Sequence, residues 1–267
     1  MECITLNDIT FAYNQTVIFK NLNLSFNYGT CYILSGLNGT GKSTLLKMIG
    51  GKTLCEYDKI KVNGKDPFRD TSSNCEIAYI TNDWGARTVA FSGYNMPLQS
   101  SIKVKEMMIK LKERFPHRDK KLKQVLGINP EWALNEISDG QRKRVQLYLG
   151  LIQPFKICLL DEITVNLDIL VKNRLMQYLK KECIQNNACI IYITHIFDGL
   201  DDWCDYLYYI NKKRDFIIKN VKDLPNKSIY DYLLSEFQTT HDEYVYEDAE
   251  HIVLPKKNAG GYKSGVL

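Results

Sequence analysis

Within residues 3–26 the apolar positions Ile9, Phe11, Val17, Phe19, Leu22, Leu24 and Phe26 come in short alternating bursts, with Asn14 and Gln15 between them. Such alternation predicts antiparallel strands joined by a turn. Residues 31–34 then form an apolar run that reads as a buried strand. A glycine-rich loop from Gly36 to Gly41 follows, then a helix from Lys42 with Leu45, Leu46 and Ile49 on its inner face. Residues 59–62, ahead of Asn63-Gly64, and residues 77–81 predict further strands. Helical periodicity covers residues 102–126 and 139–152. Two strongly apolar strands, 157–160 and 188–194, flank a helical segment from Asp168 to about residue 185, the spacing of a parallel βαβ unit. A hairpin over 205–219 and a helix over 228–237 complete the pattern, and the last thirty residues, with Gly260-Gly261, show no period. The class is α/β.

Composition narrows this only modestly. The chain has 267 residues, 45% of them hydrophobic, enough to bury a sizeable core. A net charge of +4 is too mild a bias to point to nucleic acid, and direct nucleic-acid binding is not expected. The basic stretch 103–123 reads as a solvated helical face. Eight scattered cysteines without a CxxC pair read as reduced, structural thiols. No uncharged apolar run approaches the ~18 residues of a membrane span, so no integral membrane segment is expected and the localisation is cytoplasmic, with the nucleus also open.

Three motifs carry chemistry. Gly36-Leu37-Asn38-Gly39-Thr40-Gly41-Lys42-Ser43, with Thr44 next, matches GxxxxGK[ST] between a predicted strand and a predicted helix. Its backbone amides and the helix N-terminus suit phosphate, Lys42 reaches the β- and γ-phosphates, and Ser43 suits Mg²⁺. The strand ending in Asp161-Glu162 offers one carboxylate for Mg²⁺ and a second as general base. Ser138-Asp139-Gly140-Gln141 opens a helix as an S-x-x-Q capping box. The cap accounts for Ser138 and Gln141. It does not account for Gly140, which costs about 1 kcal/mol inside a helix and implies a close backbone approach, with phosphate the natural candidate.

That segment lies 23 residues ahead of Asp161 and resembles the LSGGQ signature of the ABC ATPases. The resemblance implies a P-loop NTPase fold with a RecA-like parallel-sheet core, an N-terminal antiparallel β subdomain and a helical signature subdomain at about 86–150. It assigns residues 1–225 to the nucleotide-binding domain and 226–267 to a C-terminal helix and flexible tail. It also implies ATP and Mg²⁺ as cofactors, Tyr13 stacked on adenine, Asp168 in the D-loop and His195 as the switch histidine at the γ-phosphate. Asn82 stands where the family has a glutamine that contacts the metal and water, one methylene shorter, and Asp139 replaces a signature glycine, which is expected to slow closure.

The strings 138–146, 161–168 and 194–200, together with 90–94 and 97–99, are similar to a soluble eukaryotic subgroup. That subgroup includes a yeast ABC ATPase associated with the Ccr-Not complex and plant ABC proteins of subfamily I. In the family each nucleotide lies between two domains, so a homodimer, or a heterodimer with a related ABC domain, is implied, with Ser138 acting in trans. A Ccr-Not-like protein complex is implied as the setting, in a regulatory or adaptor role. The competing functions are the ATPase subunit of a membrane transporter with separate transmembrane subunits, and a scaffold that binds ATP without turnover. Lys42, Glu162 and His195 argue against the scaffold.

Overall fold

The computed structural model describes residues 1–13, 15–82, 101–211, 214–225 and 228–239. Asn14, Asp83, the stretch 84–100 with the strings at 90–94 and 97–99, and the tail beyond 239 lie outside them.

The opening alternation becomes β1 (Glu2–Tyr13) and β2 (Thr16–Asn27), an antiparallel pair. A short strand, β4 (Ile60–Val62), pairs with β1 to complete a three-stranded sheet in the order β2-β1-β4. Asn63 and Gly64 both have positive φ beyond β4, the primed turn that an Asn-Gly pair favours.

The second sheet has six strands: β3 (Cys31–Gly36), β5 (Ile77–Ile80), β6 (Ile157–Asp161), β7 (Cys189–Ile193), β8 (Tyr206–Ile210) and β9 (Phe216–Asn220). Their order is β5-β6-β7-β3-β8-β9, parallel except for the edge strand β9, which forms a hairpin with β8. The core strands are continuously apolar because both faces are covered. Residues Tyr32, Leu34, Leu159 and Ile191 pack towards α1 (Lys42–Ile49) and the small sheet. Residues Cys31, Ile33, Leu160 and Ile190 pack towards a layer of five helices.

These five are α2 (Val104–Arg114), α3 (Pro116–Leu126), α4 (Asp139–Leu151), α5 (Ile169–Asn186) and α6 (Ile229–Thr239). The predicted helical stretch 102–126 divides because Pro116 has no amide hydrogen and takes the first position of α3. The predicted C-terminal helix joins the same core: Ile229 and Leu233 are buried there, and Tyr209 meets Tyr232 and Phe237 edge-on.

The basic stretch is only in part a solvated face. Arg118 turns inward, donates to the carbonyls of Leu151 and Ile152 at the end of α4, and pairs with Glu182 of α5 at 2.9 Å. Asp119 is buried and accepts from Tyr148 of α4 at 2.7 Å. Three helices are thus fastened by charges that no periodicity reveals. Among the described residues no helix is long and apolar enough to cross a membrane.

Removing one member of a buried ion pair leaves the other charge uncompensated, at a cost of about 3–5 kcal/mol. Arg118→Ala is therefore expected to lose about 3 kcal/mol in urea unfolding, while Lys110→Ala, on the same basic stretch but exposed, changes it by less than about 0.5 kcal/mol.

Candidate functional site

In parallel sheets the loops at the carboxyl ends of the strands share one edge, where ligands bind. Here β3 ends in the Gly36 loop, β6 in Asp161-Glu162 and β7 just before Thr194-His195, and the register pairs Leu34 and Asp161 with Ile193. Residues separated by up to 159 positions in the chain therefore meet there.

The loop enters α1 through Gly41, at φ +103°. A Cβ at this position would lie 2.6 Å from Ile18 and 2.9 Å from Phe19, so only glycine fits. No side chain caps α1, which leaves its first amides to an external acceptor. Thr40 closes the loop by donating to the carbonyl of Leu37 at 2.8 Å. The Lys42 ammonium is buried and donates to the carbonyls of Gly36 and Leu37 at 2.7 and 2.9 Å. Burial lowers its pKa, and the nearby carboxylates of Glu162 and Asp161 oppose that shift.

At the end of β6, burial raises the pKa of Asp161, against the effect of a hydrogen bond from the Ser43 hydroxyl. The next residue, Glu162, takes φ +49°, a left-handed conformation that costs a non-glycine residue on the order of 1 kcal/mol. Its amide is held there by the carbonyl of Ile193 at 3.0 Å, and its carboxylate lies 3.3 Å from His195 Nε2. Burial, and then the charge of Lys42, lowers the His195 pKa below its ordinary 6.5, so the imidazole is neutral at pH 7. The contact with Glu162 is therefore not a pairing of two full charges.

A second group forms around α4. The capping box is complete: Ser138 accepts from the amide of Gln141 at 3.3 Å, and Gln141 accepts from the amide of Ser138 at 3.0 Å. Asp139 sits in the first turn, where the helix dipole favours a carboxylate. The close approach expected at Gly140 is to backbone: a Cβ there would be 2.7 Å from the carbonyl oxygen of Asn166. Arg144 reaches the same loop and pairs with Asp168 at 2.5 Å, while Asp168 caps α5 by accepting from Val171 at 2.9 Å. The signature segment and the loop 164–168 are thereby joined within one chain.

Arg144, Lys143 and Gln146 carry contacts that sequence reasoning missed. Lys143 is buried and donates to the carbonyl of Thr81 at 3.0 Å and to the side-chain oxygen of Asn82 at 3.3 Å, and Gln146 donates to the same Thr81 carbonyl at 2.8 Å. The i, i+3 spacing of 143 and 146 places both polar groups on one helical face, the only signal available. Asn82, expected near a metal, is thus tied to α4. Tyr13 ends β1, 46% exposed, with its ring edge-on to Phe11.

The first group fits a nucleotide with Mg²⁺. Ser43 and Asp161 are hydrogen-bonded hard oxygen donors of the kind magnesium takes, and Lys42 and the uncapped start of α1 provide donors for phosphate.

Comparison with known proteins agrees with this geometry. A family model described as ABC transporter matches residues 19–165. "ABC transporter I family member 20" of Arabidopsis thaliana is 39% identical over 231 residues, covering 85% of this chain and 70% of that protein. "CCR4-associated factor 16" of Saccharomyces cerevisiae is 36% identical over 216 residues, 78% of this chain and 75% of that protein. A solved structure described as the ATP binding subunit of an ABC transporter superposes with a TM-score of 0.72, covering 87% of this chain and 98% of its own, at 18% identity, a likeness of fold.

In an open helical position Gly→Ala stabilises by about 1 kcal/mol. Against the Asn166 carbonyl the sign should reverse, because overpacking costs about 1–3 kcal/mol. Gly140→Ala is expected to lower the urea midpoint, and a raised midpoint would show that the two segments do not touch.

Proposed function

The chain belongs to the ABC family and is an ATPase, and from that premise we propose that it hydrolyses MgATP at the interface of a head-to-tail dimer, as a regulatory or adaptor factor in a protein complex. The observation that carries the reading is the meeting of Lys42, the Ser43–Asp161 pair and the Glu162–His195 pair on one sheet edge.

On binding, Lys42 exchanges its two loop carbonyls for the β- and γ-phosphate oxygens, and the amides of residues 37–44 and the start of α1 receive the rest of the phosphate chain. Ser43 and Asp161 would hold magnesium, with Asn82 able to join once released from Lys143, and the ion would supply positive charge against the phosphates. Tyr13 offers an exposed ring to adenine, worth about 1–3 kcal/mol by analogy with base stacking. Glu162 takes the proton of the attacking water, and the neutral His195 beside it orients the acid and contacts the γ-phosphate.

The dimer is supported by the surface next to this edge. Val165, Ile169 and Ile196 expose 54%, 80% and 40% of their area and line a groove of about 470 Å³, with Leu170, 65% exposed, next to Ile169 in the chain. Such an apolar group rimmed by polar residues marks an interaction surface. A second copy, or a related ABC domain, would cover it and bring Ser138, Gly140 and Gln141 across to the nucleotide, with Asp168 at the seam. The likeness to a yeast protein named for its association with CCR4 supports a protein-complex setting, in the cytoplasm or nucleus.

Loss of a positioned general base costs about 10²–10⁴ in rate. Glu162→Gln is expected to keep ATP bound, to lose at least about 100-fold in turnover and to double in mass by light scattering on adding MgATP. Turnover at the wild-type rate would remove Glu162 as the base. A mass that stays monomeric would remove the dimer, and steady co-purification with an integral membrane protein would replace the adaptor role with a transporter subunit.

A further inference from the structure

At the end of the core sheet opposite Lys42 lies a group that ATP hydrolysis does not use. Cys31 opens β3, Cys183 lies in the last turns of α5 and Asp205 immediately precedes β8. The two sulfurs and a carboxylate oxygen all lie within 4.8 Å of one another, and both thiols are buried. Among the described residues this is the one such convergence of three ligand groups. We propose that it is a structural site for a thiophilic divalent cation of the zinc class.

Burial alone accounts for each cysteine; what points to a cation is that two sulfurs and a carboxylate oxygen converge on one point. Asp205 is fixed in place: it accepts from the amide of Cys31 at 2.8 Å, and its two oxygens lie 3.0 and 3.1 Å from the Lys180 ammonium. These bonds leave a carboxylate lone pair for a further partner. Lys180 also donates to the carbonyl of Trp203 at 2.8 Å, so its charge is seated independently of the thiols.

That charge helps the site. Two thiolates and a carboxylate carry three negative charges, and a dication with Lys180 supplies three positive ones, so the loaded site is neutral and its burial is not opposed. Without the cation the Lys180–Asp205 pair balances its own charge. On binding, the cation replaces the two thiol protons, which pass to solvent, and no oxidation state changes. Zinc–sulfur distances of about 2.3 Å put tetrahedral sulfurs about 3.8 Å apart, so ligand atoms within 4.8 Å of one another need to close in by at most about 1 Å, and a water would take the fourth position. Cys204 is not a ligand, since its thiol is turned to the carbonyl of Tyr206 at 2.9 Å. The bound ion would join the strand that leads into the Gly36 loop to α5 and β8.

The test is a titration of the full chain, stripped by chelator and kept reduced, with Co²⁺ as the spectroscopic probe. One equivalent is expected to give a thiolate-to-cobalt charge-transfer band and intense tetrahedral visible bands, both bleached by one equivalent of Zn²⁺. Cys183→Ser should abolish them, Asp205→Asn should weaken binding by about 10–100-fold, and Cys75→Ser, at an exposed thiol, should leave them unchanged. Wild-type binding weaker than about 1 µM overturns the proposal, whatever the folding of the variants. Bands that persist in folded Cys183→Ser overturn it as well, since they would come from an adventitious thiol site.

Discussion

A buried ammonium, that of Lys42, is the charge around which the rest of the site is arranged. Placing a cation in the interior is costly unless acceptors surround it. Here the acceptors are the Gly36 and Leu37 carbonyls and, at longer range, Asp161 and Glu162. The carbonyls come from the loop after β3 and the carboxylates from the end of β6, whose Glu162 amide is held by Ile193 of β7, so these three strand ends must keep their register for the lysine to remain charged in place. Burial lowers the His195 pKa, and the Lys42 charge adds to that shift, so the same cation also bears on the ring that faces Glu162.

The helical layer is coupled to this edge through polar contacts as well as apolar packing. From α4, Lys143 and Gln146 grip the end of β5, Arg144 reaches Asp168, and Gly140 lies against the Asn166 carbonyl. One helix therefore touches both the loop that carries Asn82 and the loop that follows Glu162. A shift of α4 on meeting a partner would be felt at both places, which gives a dimer-dependent ATPase a physical route from signature to catalytic edge.

Much of this was legible in the sequence. The apolar runs of β3, β6 and β7 are long enough to announce strands covered on both faces, and GxxxxGK[ST] between a strand and a helix announces the phosphate loop. Ser138 and Gln141 announce a helix start, and the structure completes that box. What stayed hidden depends on where long side chains go. Arg118 lies in a run of lysines and arginines that reads as solvated, and its burial against Glu182 is set by a helix 64 residues away. Gly140 signals a close approach without naming the neighbour, and the neighbour is a backbone carbonyl. Asn82 is drawn to Lys143, a contact that depends on how α4 crosses β5. The left-handed turn at Glu162 has no sequence signature, because non-glycine residues take it only when the surrounding structure imposes it.

The most direct test of the central claim is the affinity for MgATP of the wild-type chain and of Lys42→Ala, compared by equilibrium titration with folding confirmed for both. Hydrogen bonds to charged groups are worth about 1.5–3 kcal/mol, so the variant should bind at least about tenfold more weakly. An affinity equal to that of the wild type would contradict the account, because the nucleotide would then be held without the charge on which the site is built.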